Sequence, residues 1–304
     1  MYPTLTAFLL LEISRTVNSM VGAGLALLVI GILAARSAVA HASGLDKVVA
    51  LTNLCFALPL AIFGALHLAA APGLATMVPS FIPWHLFWAY FVGIALIAAS
   101  LSIATNIKVQ WSGLLFGLMM FTFVATMDAP GVYQDPHNRI TDTLLMRELC
   151  FGAGGWVLAG TAMGVRGRGK MLITIGRILI GLTALVFAYE QLLHPLGMPA
   201  VPLEKEMPTW IPFRPLIGYI TGVLLAAGGL CFLFGRKVRE AATYLGSWIV
   251  FTIIAIYVPV MIAALMNPST DVKVEGLNYF GDTLLFGGVI LSLAQAWMSE
   301  SRVL

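Results

Sequence analysis

The chain has 304 residues, of which 60% are hydrophobic and only 10% are charged. A soluble domain carries about 25% charged residues, so this composition excludes a water-soluble fold and predicts a protein of the lipid bilayer. The net charge of +3 is spread over many short loops and offers no basic face for nucleic acid.

Nine apolar runs are each long enough to cross a hydrocarbon core of about 30 Å as a helix. We interpret the first run as an uncleaved span and not as a signal peptide, because Glu12 and Arg15 precede it and Arg36 adjoins the Ala-Val-Ala triplet. The predicted spans are 15–35, 48–70, 84–104, 109–127, 143–163, 171–194, 214–234, 239–264 and 277–298.

The second half of the chain repeats the first. Five residues reappear 129 positions later in the same order: Pro79, Ile82, Pro83, Tyr90 and Gly93 as Pro208, Ile211, Pro212, Tyr219 and Gly222. Each copy holds an even number of predicted spans, so duplication preserves its orientation and predicts parallel repeats. The fold class is therefore all-α, a polytopic membrane protein with a leading helix (1–45) and two tandem parallel four-helix bundles (46–165 and 171–304).

The loop charges predict the orientation of the chain in the cell (inner) membrane. Ten Lys and Arg residues fall on one side of the predicted spans and five on the other. The positive-inside rule then places the N-terminus outside and the C-terminus in the cytoplasm. The long segments 70–83, 128–142, 195–213 and 265–276 would face outward.

Ionisable side chains inside a span cost about 2.5 to 3.5 kcal/mol on insertion scales, so each needs a partner or a function. Glu190 and His194 are four residues apart, hence on one helix face, and Asp282 is predicted at a similar depth. We interpret these three as a candidate catalytic cluster, in which a carboxylate beside an imidazole passes a proton to a bound quinone. The candidate lining of that pocket is Gln191, Trp210, Arg214, Tyr219 and Asn278.

A structural role for the same residues is an alternative, with Glu190 and His194 satisfying each other at a helix end. The first repeat favours that alternative, because Phe63 occupies the position that corresponds to Glu190. Symmetry-related His67 and His194 raise the further idea of haem ligation, but a lone His at a span end more often forms an interfacial hydrogen bond. No metal-ligand spacing is present, and Arg177, alone in its span, is expected to reach the interface.

Both repeats resemble the DoxX-like four-helix membrane module. The resemblance covers about 50–163 and 173–298, and its motifs are an aromatic residue before a His, a Pro-x-x-Ile-Pro turn, a Gly in the next span and a basic turn before alanines. These motifs are Phe63 to His67, Phe187 to His194, Pro79 to Pro83, Pro208 to Pro212, Gly93, Gly222 and Arg236 to Ala242. The name-giving members of the family are similar to the small subunit of a thiosulfate:quinone oxidoreductase, and the resemblance thus implies a membrane subunit with a quinone or redox partner.

Three functions remain open at this point. The first is a membrane subunit of a quinone-linked redox system, and the sequence leaves open whether that subunit is itself catalytic. The second is a non-enzymatic scaffold, assembly or lipid-binding protein, which the absence of a cofactor motif favours. The third is a small-solute transporter. The parallel repeats favour it, whereas no predicted span is clearly broken at the bilayer midplane, which counts against it. The sequence predicts the lipid bilayer and a redox or soluble protein as partners, and it does not indicate an oligomeric state.

Overall fold

The computed structural model describes residues 3–164 and 166–300, with side chains for 15–164 and 166–298. Within these residues the chain forms nine long helices, which we label α1 to α9 in chain order. They are α1 Pro3–His41, α2 Thr52–Ala69, α3 His85–Ala104, α4 Val109–Gln134, α5 Arg139–Met163, α6 Arg168–Leu193, α7 Arg214–Phe234, α8 Val238–Leu265 and α9 Thr270–Glu300.

Eight of these helices are long and apolar enough to cross a membrane, which confirms an all-α polytopic membrane protein. The remaining helix, α5, has 25 residues but carries Arg139, Asp142, Arg147 and Glu148 in its first half. Its length suits a span, and its charges explain why hydropathy alone does not select it.

Some helices extend beyond the predicted spans. Helix α5 begins at Arg139 and not at residue 143, because Asn138 caps it: the Asn138 side chain accepts hydrogen bonds from the N–H groups of Ile140 and Thr141. Helix α9 begins at Thr270, whereas the predicted span begins at 277. The prediction began later because the first turns of the helix are polar and fall outside the apolar run.

The backbone repeats with the same offset of 129 positions as the sequence. Trp84 and Lys108 have left-handed conformations directly before α3 and α4, and Phe213 and Lys237 have them directly before α7 and α8. Bulky residues adopt this conformation at a cost of roughly 1–2 kcal/mol, so its recurrence indicates a turn that both copies require.

Helices α4 and α8 also share an irregularity. Each contains one wide π-helical turn, at Val124–Asp128 in α4 and at Ile253–Tyr257 in α8, and a proline lies two residues after the end of each turn. Such turns often lie at functional sites. Asp128 and Tyr257 are equivalent last residues of the two turns, and their different side chains distinguish the two repeats.

Helices α2 to α9 pack in a closed ring, each against the next along the chain, with α9 returning to α2. The first helix of each repeat thus packs against the last helix of the other repeat: α2 against α9, and α6 against α5. Helix α9 also packs against α5 and is the central helix, since 83% of the residues in its most apolar stretch are buried. Helix α1 is peripheral, with 17% of the residues in the corresponding stretch buried.

Candidate functional site

A buried ionic cluster joins α5 to α9. Arg147 of α5 donates from Nη1 to Oδ2 of Asp282 at 2.7 Å and from Nη2 to Oε1 of the neighbouring Glu148 at 2.9 Å. The side chains of Arg147, Glu148 and Asp282 are mostly buried. An ion pair in the low-dielectric interior is strong when its geometry is good, and breaking it leaves an uncompensated charge.

Asp128, at the end of the π-helical turn of α4, adds a third carboxyl group to this arrangement. It lies within electrostatic range of both Arg147 and Glu148. We refer to Asp128, Arg147, Glu148 and Asp282 as the Arg147 cluster. Three carboxyl groups around one guanidinium leave an excess of negative charge unless protons or a cation are held there.

The cluster also has unused hydrogen-bonding capacity. Within the described part of the chain, five buried side-chain atoms have no hydrogen-bond partner, and three of them belong to charged or amide groups: Nε of Arg147, Oδ2 of Asp128 and Oδ1 of Asn278. A buried polar group without a partner is rare in native structures and costs about 1–3 kcal/mol. Arg147 therefore has one donor, and Asp128 and Asn278 each have one acceptor, that no described residue uses.

Arg147, Glu148, Asn278 and Asp282 form part of the wall of a cleft with a volume of about 1450 Å³. Helices α2, α3, α4, α5 and α9 surround the cleft, and most of its lining is aliphatic or aromatic. His67 of α2 lines the same cleft and lies within electrostatic range of Glu148. A polar group on the wall of a large apolar cleft matches an amphiphilic molecule with a polar head and an apolar body.

The second repeat differs at the corresponding gap between its middle helices. There Trp248 of α8 donates from Nε1 to Oγ1 of Thr221 of α7 at 2.9 Å, a hydrogen bond that ties the two helices together. The equivalent residues of the first repeat are Met119 and Val92, which cannot form this bond and instead line the cleft. The two repeats thus differ in the side chains between their middle helices.

Glu190 and His194 share one helix face, as their spacing predicts, with His194 Nε2 at 3.9 Å from Oε2 of Glu190. The closest charged partner of Glu190 is Arg139, whose Nε donates to the same oxygen at 2.8 Å. Arg139 also donates from Nη2 to the carbonyl oxygens of Pro202 and Leu203. Glu190 therefore pairs with Arg139, whereas Asp282 pairs with Arg147, so the structure divides the predicted catalytic cluster between two ionic groups.

Gln191 and Arg214 hold the segment 195–213, which connects α6 to α7. The fully buried Gln191 accepts a hydrogen bond from the N–H of Ala200 at 3.2 Å, and Arg214 donates to the carbonyl oxygen of Met207 at 2.9 Å. Trp210 and Tyr219 are 56% and 48% exposed. Of the predicted pocket lining, only Asn278 therefore lies on the wall of the cleft, and proton transfer by Glu190 and His194 stays a prediction.

The same segment reaches the cleft from the second repeat. Leu203 and Glu204 line one end of the cleft, and the segment is fastened there because the N–H of Lys205 donates to the hydroxyl oxygen of Tyr279. The Lys205 ammonium also pairs with Glu275 at 3.0 Å. Glu190 and Gln191 thus stabilise a segment that forms part of the cleft.

The sequence does not single out Arg147 or Asp128, because Arg147 lies near the start of a predicted span and Asp128 in a predicted loop, where charged residues are common. The adjacent pair Arg147-Glu148 within the predicted span 143–163 was the available signal, since two charges there have the same insertion cost as those of the second repeat. His67 and His194 lie in different surroundings, the first at the cleft and the second beside Glu190.

The fold and the cleft define a polytopic integral membrane protein with an ionic cluster buried between its helices. Comparisons of the chain with protein families, with curated proteins and with solved structures found no match.

Proposed function

We propose that this membrane protein binds a quinone in the cleft of its first repeat and serves as the membrane subunit of a quinone-linked redox system. The observation that carries the proposal is that three members of the Arg147 cluster, Arg147, Glu148 and Asp282, lie on the wall of a large, mostly apolar cleft. The proposal moves the binding site from the second repeat, where the sequence alone places it, to the first.

The residues suit the chemistry of a quinone. A quinone supplies carbonyl oxygens that accept hydrogen bonds and take up protons when electrons arrive, and its apolar tail requires a lipophilic channel. Nε of Arg147 has no hydrogen-bond partner among the described residues and can donate to such an oxygen, and the carboxyl group of Asp282 on the wall of the cleft can hold or release a proton nearby. A soluble redox partner would supply or remove the electrons.

The DoxX-like resemblance of both repeats supports the same proposal, because the name-giving members are similar to a subunit of a quinone-reducing enzyme. We extend the proposal to membership of that family. The motifs behind the resemblance, such as Pro79 to Pro83, shape turns and helix starts, whereas the Arg147 cluster supplies the chemical argument.

A non-enzymatic lipid-binding protein is the second candidate, and the apolar majority of the cleft lining favours it. A membrane phospholipid could place its acyl chains there without any redox chemistry. The two candidates differ in the head group, since a quinone needs hydrogen bonds to its carbonyl oxygens and a zwitterionic lipid needs charge pairing.

Binding of a radiolabelled short-tailed benzoquinone to the detergent-purified protein tests the proposal. We expect saturable binding that Met119→Trp combined with Val92→Thr abolishes, because these changes bring the ring and hydroxyl of the second repeat into the cleft. The matched control is Trp248→Met with Thr221→Val, which makes the reciprocal exchange in the second repeat and should leave binding intact.

Three results would oppose the proposal. Non-saturable partitioning of the benzoquinone would contradict a specific quinone site. Displacement of the benzoquinone by phospholipid alone would favour the lipid-binding candidate. Loss of binding in Glu190→Gln with normal binding in Asp282→Asn would place the site away from the Arg147 cluster, at Glu190 in the second repeat. Mass spectrometry of co-purified lipids identifies which class of molecule the protein retains.

A further inference from the structure

A second, smaller pocket lies between α6, α7 and α9, apart from the cleft. Its volume is about 200 Å³, enough for several water molecules or one compact polar group, since a water occupies about 30 Å³ in the liquid. The residues that line it are Lys170, Ile173, Thr174, Arg177, Gly235, Ala296 and Trp297.

Arg177 is fixed at the edge of this pocket by the end of α7. Its Nη1 donates to the carbonyl oxygens of Phe232 and Leu233, in the last turn of that helix. Gly235 permits the approach: a Cβ there would lie 3.0 Å from Nη1 of Arg177, and the residue has a positive φ of 66°. The span-embedded Arg177 thus finds its partner in a helix end, which satisfies one face of the guanidinium.

The described residues that line the pocket are positively charged overall. Lys170 and Arg177 supply two cations and Thr174 a hydroxyl, while none of the described residues that line the pocket carries a carboxyl group. Trp297 also lines the pocket, and tryptophan prefers the head-group zone of a bilayer. A pocket with two cations, a hydroxyl donor and an interfacial tryptophan matches the phosphate group of a lipid at the membrane surface.

We propose that the pocket formed by Lys170, Thr174, Arg177 and Trp297 binds a phosphate group, as carried by an anionic phospholipid. The guanidinium of Arg177 and the ammonium of Lys170 bind the phosphate oxygens, and the acyl chains lie along the apolar surface of α6. The first repeat differs at this turn, because Asn106 occupies the position that corresponds to Gly235.

Native mass spectrometry of the delipidated full-length protein with added phosphatidylglycerol or phosphatidylcholine tests this site. We expect preferential retention of phosphatidylglycerol. Lys170→Gln should weaken that retention by about fivefold, the effect of removing one cation near an anionic membrane surface. Arg166→Gln, which removes an exposed cation outside the pocket, is the matched control and should change retention much less.

A second arm separates a lipid from free phosphate. If inorganic phosphate raises the unfolding temperature of the wild type but not of Lys170→Gln, and phosphatidylglycerol shows no preference, the phosphate site stands with the free ion as its ligand. Equal loss in Lys170→Gln and Arg166→Gln, or no loss in either, would overturn the proposal. Because Lys170 holds no helix end, this variant also avoids the folding defect that Arg177→Gln could cause.

Discussion

Arg147 is the residue on which the ionic cluster depends. It is the shared partner of Glu148 and Asp282, so Arg147→Met would leave two buried carboxyl groups without their cation. We expect a loss of about 3–5 kcal/mol in the free energy of unfolding, the usual effect of removing one partner of a buried pair. Unfolding in mixed detergent and SDS micelles measures this loss, with exposed Arg36→Met as the control.

The double variant Arg147→Met with Asp282→Asn determines whether the loss arises from the pair itself. We expect the two substitutions to be coupled by at least about 0.5 kcal/mol, because residues in one ionic network do not contribute independently. Strictly additive losses would show that Arg147 stabilises the protein by packing and not by charge.

Gln191 gives a second prediction at the residue scale. Its side chain is fully buried and binds the backbone of the segment 195–213 at Ala200, so Gln191→Leu would leave that N–H group without its acceptor. We expect a loss of about 1–3 kcal/mol and faster proteolysis within the segment. Gln134→Leu, at an exposed position, is the control, and equal proteolysis of both variants would contradict the anchoring role of Gln191.

Helices α4 and α5 approach each other through glycines, which makes their contact a test of packing between elements. A Cβ on Gly155 would lie 2.7 Å from the carbonyl oxygen of Gly113, and one on Gly117 would lie 2.7 Å from that of Gly152. Small residues of this kind let membrane helices pack closely, where van der Waals contact is the main attraction.

Gly155→Ala is therefore expected to destabilise the protein by about 1–3 kcal/mol, because a backbone carbonyl cannot rotate away from the added methyl group. Gly22→Ala is the matched control in α1, where a Cβ would meet no atom within 4 Å. We expect that variant to be neutral or more stable by up to about 1 kcal/mol, since alanine favours helix. Equal effects in the two variants would contradict close packing at Gly155.

The helices themselves were predictable from local signals, and their partners were not. The starts of α3 and α7 follow from the paired prolines, and the turns at Pro79 and Pro208 place a hydrogen bond three residues later in both copies. The start of α5 differs from the predicted span 143–163, although Asn138 is a strong capping residue and gives a local signal for it. Hydropathy carries no information on which helix packs against which, so the pairing of α2 with α9 became visible only in three dimensions.

For the candidate site, too, the sequence indicates single residues but not their partners. The rule that a charge inside a span needs a partner correctly directs attention to Asp282, but its partner Arg147 lies 135 positions away in sequence. Glu190 and His194 do share a helix face, as periodicity requires, yet Arg139 reaches Glu190 from another repeat. Contacts between repeats decide which charged residues form a cluster, and such contacts leave no periodic pattern in one sequence.

For the whole molecule, the ring of α2 to α9 ties the two repeats into one body. The Arg147–Asp282 pair and the Arg139–Glu190 pair both cross between repeats, and the segment 195–213 of the second repeat forms one end of the cleft of the first. A ligand of the cleft would therefore stabilise both repeats together, by mass action on a single folded state.

The direction of the two repeats in the membrane depends on whether α5 crosses it. Four helices, α4 to α7, separate the loop at Asn106 from the loop at Arg236. If all four cross, both loops lie on one side, which positive residues predict to be the cytoplasm; if α5 does not cross, the loops lie on opposite sides. Because α5 packs against α4, α6 and α9, which are long and apolar enough to cross a membrane, we expect it to cross with them.

Labelling with a membrane-impermeant maleimide measures this directly in intact cells. The native Cys55 and Cys150 are buried, and Cys231 lies within α7, so new cysteines at positions 106 and 236 would supply the signal after Cys231→Ser. We expect neither position to react until the membrane is opened, whereas a cysteine at Asn267, between α8 and α9, should react from outside. Reaction at only one of positions 106 and 236 in intact cells would contradict parallel repeats and would place α5 outside the set of crossing helices.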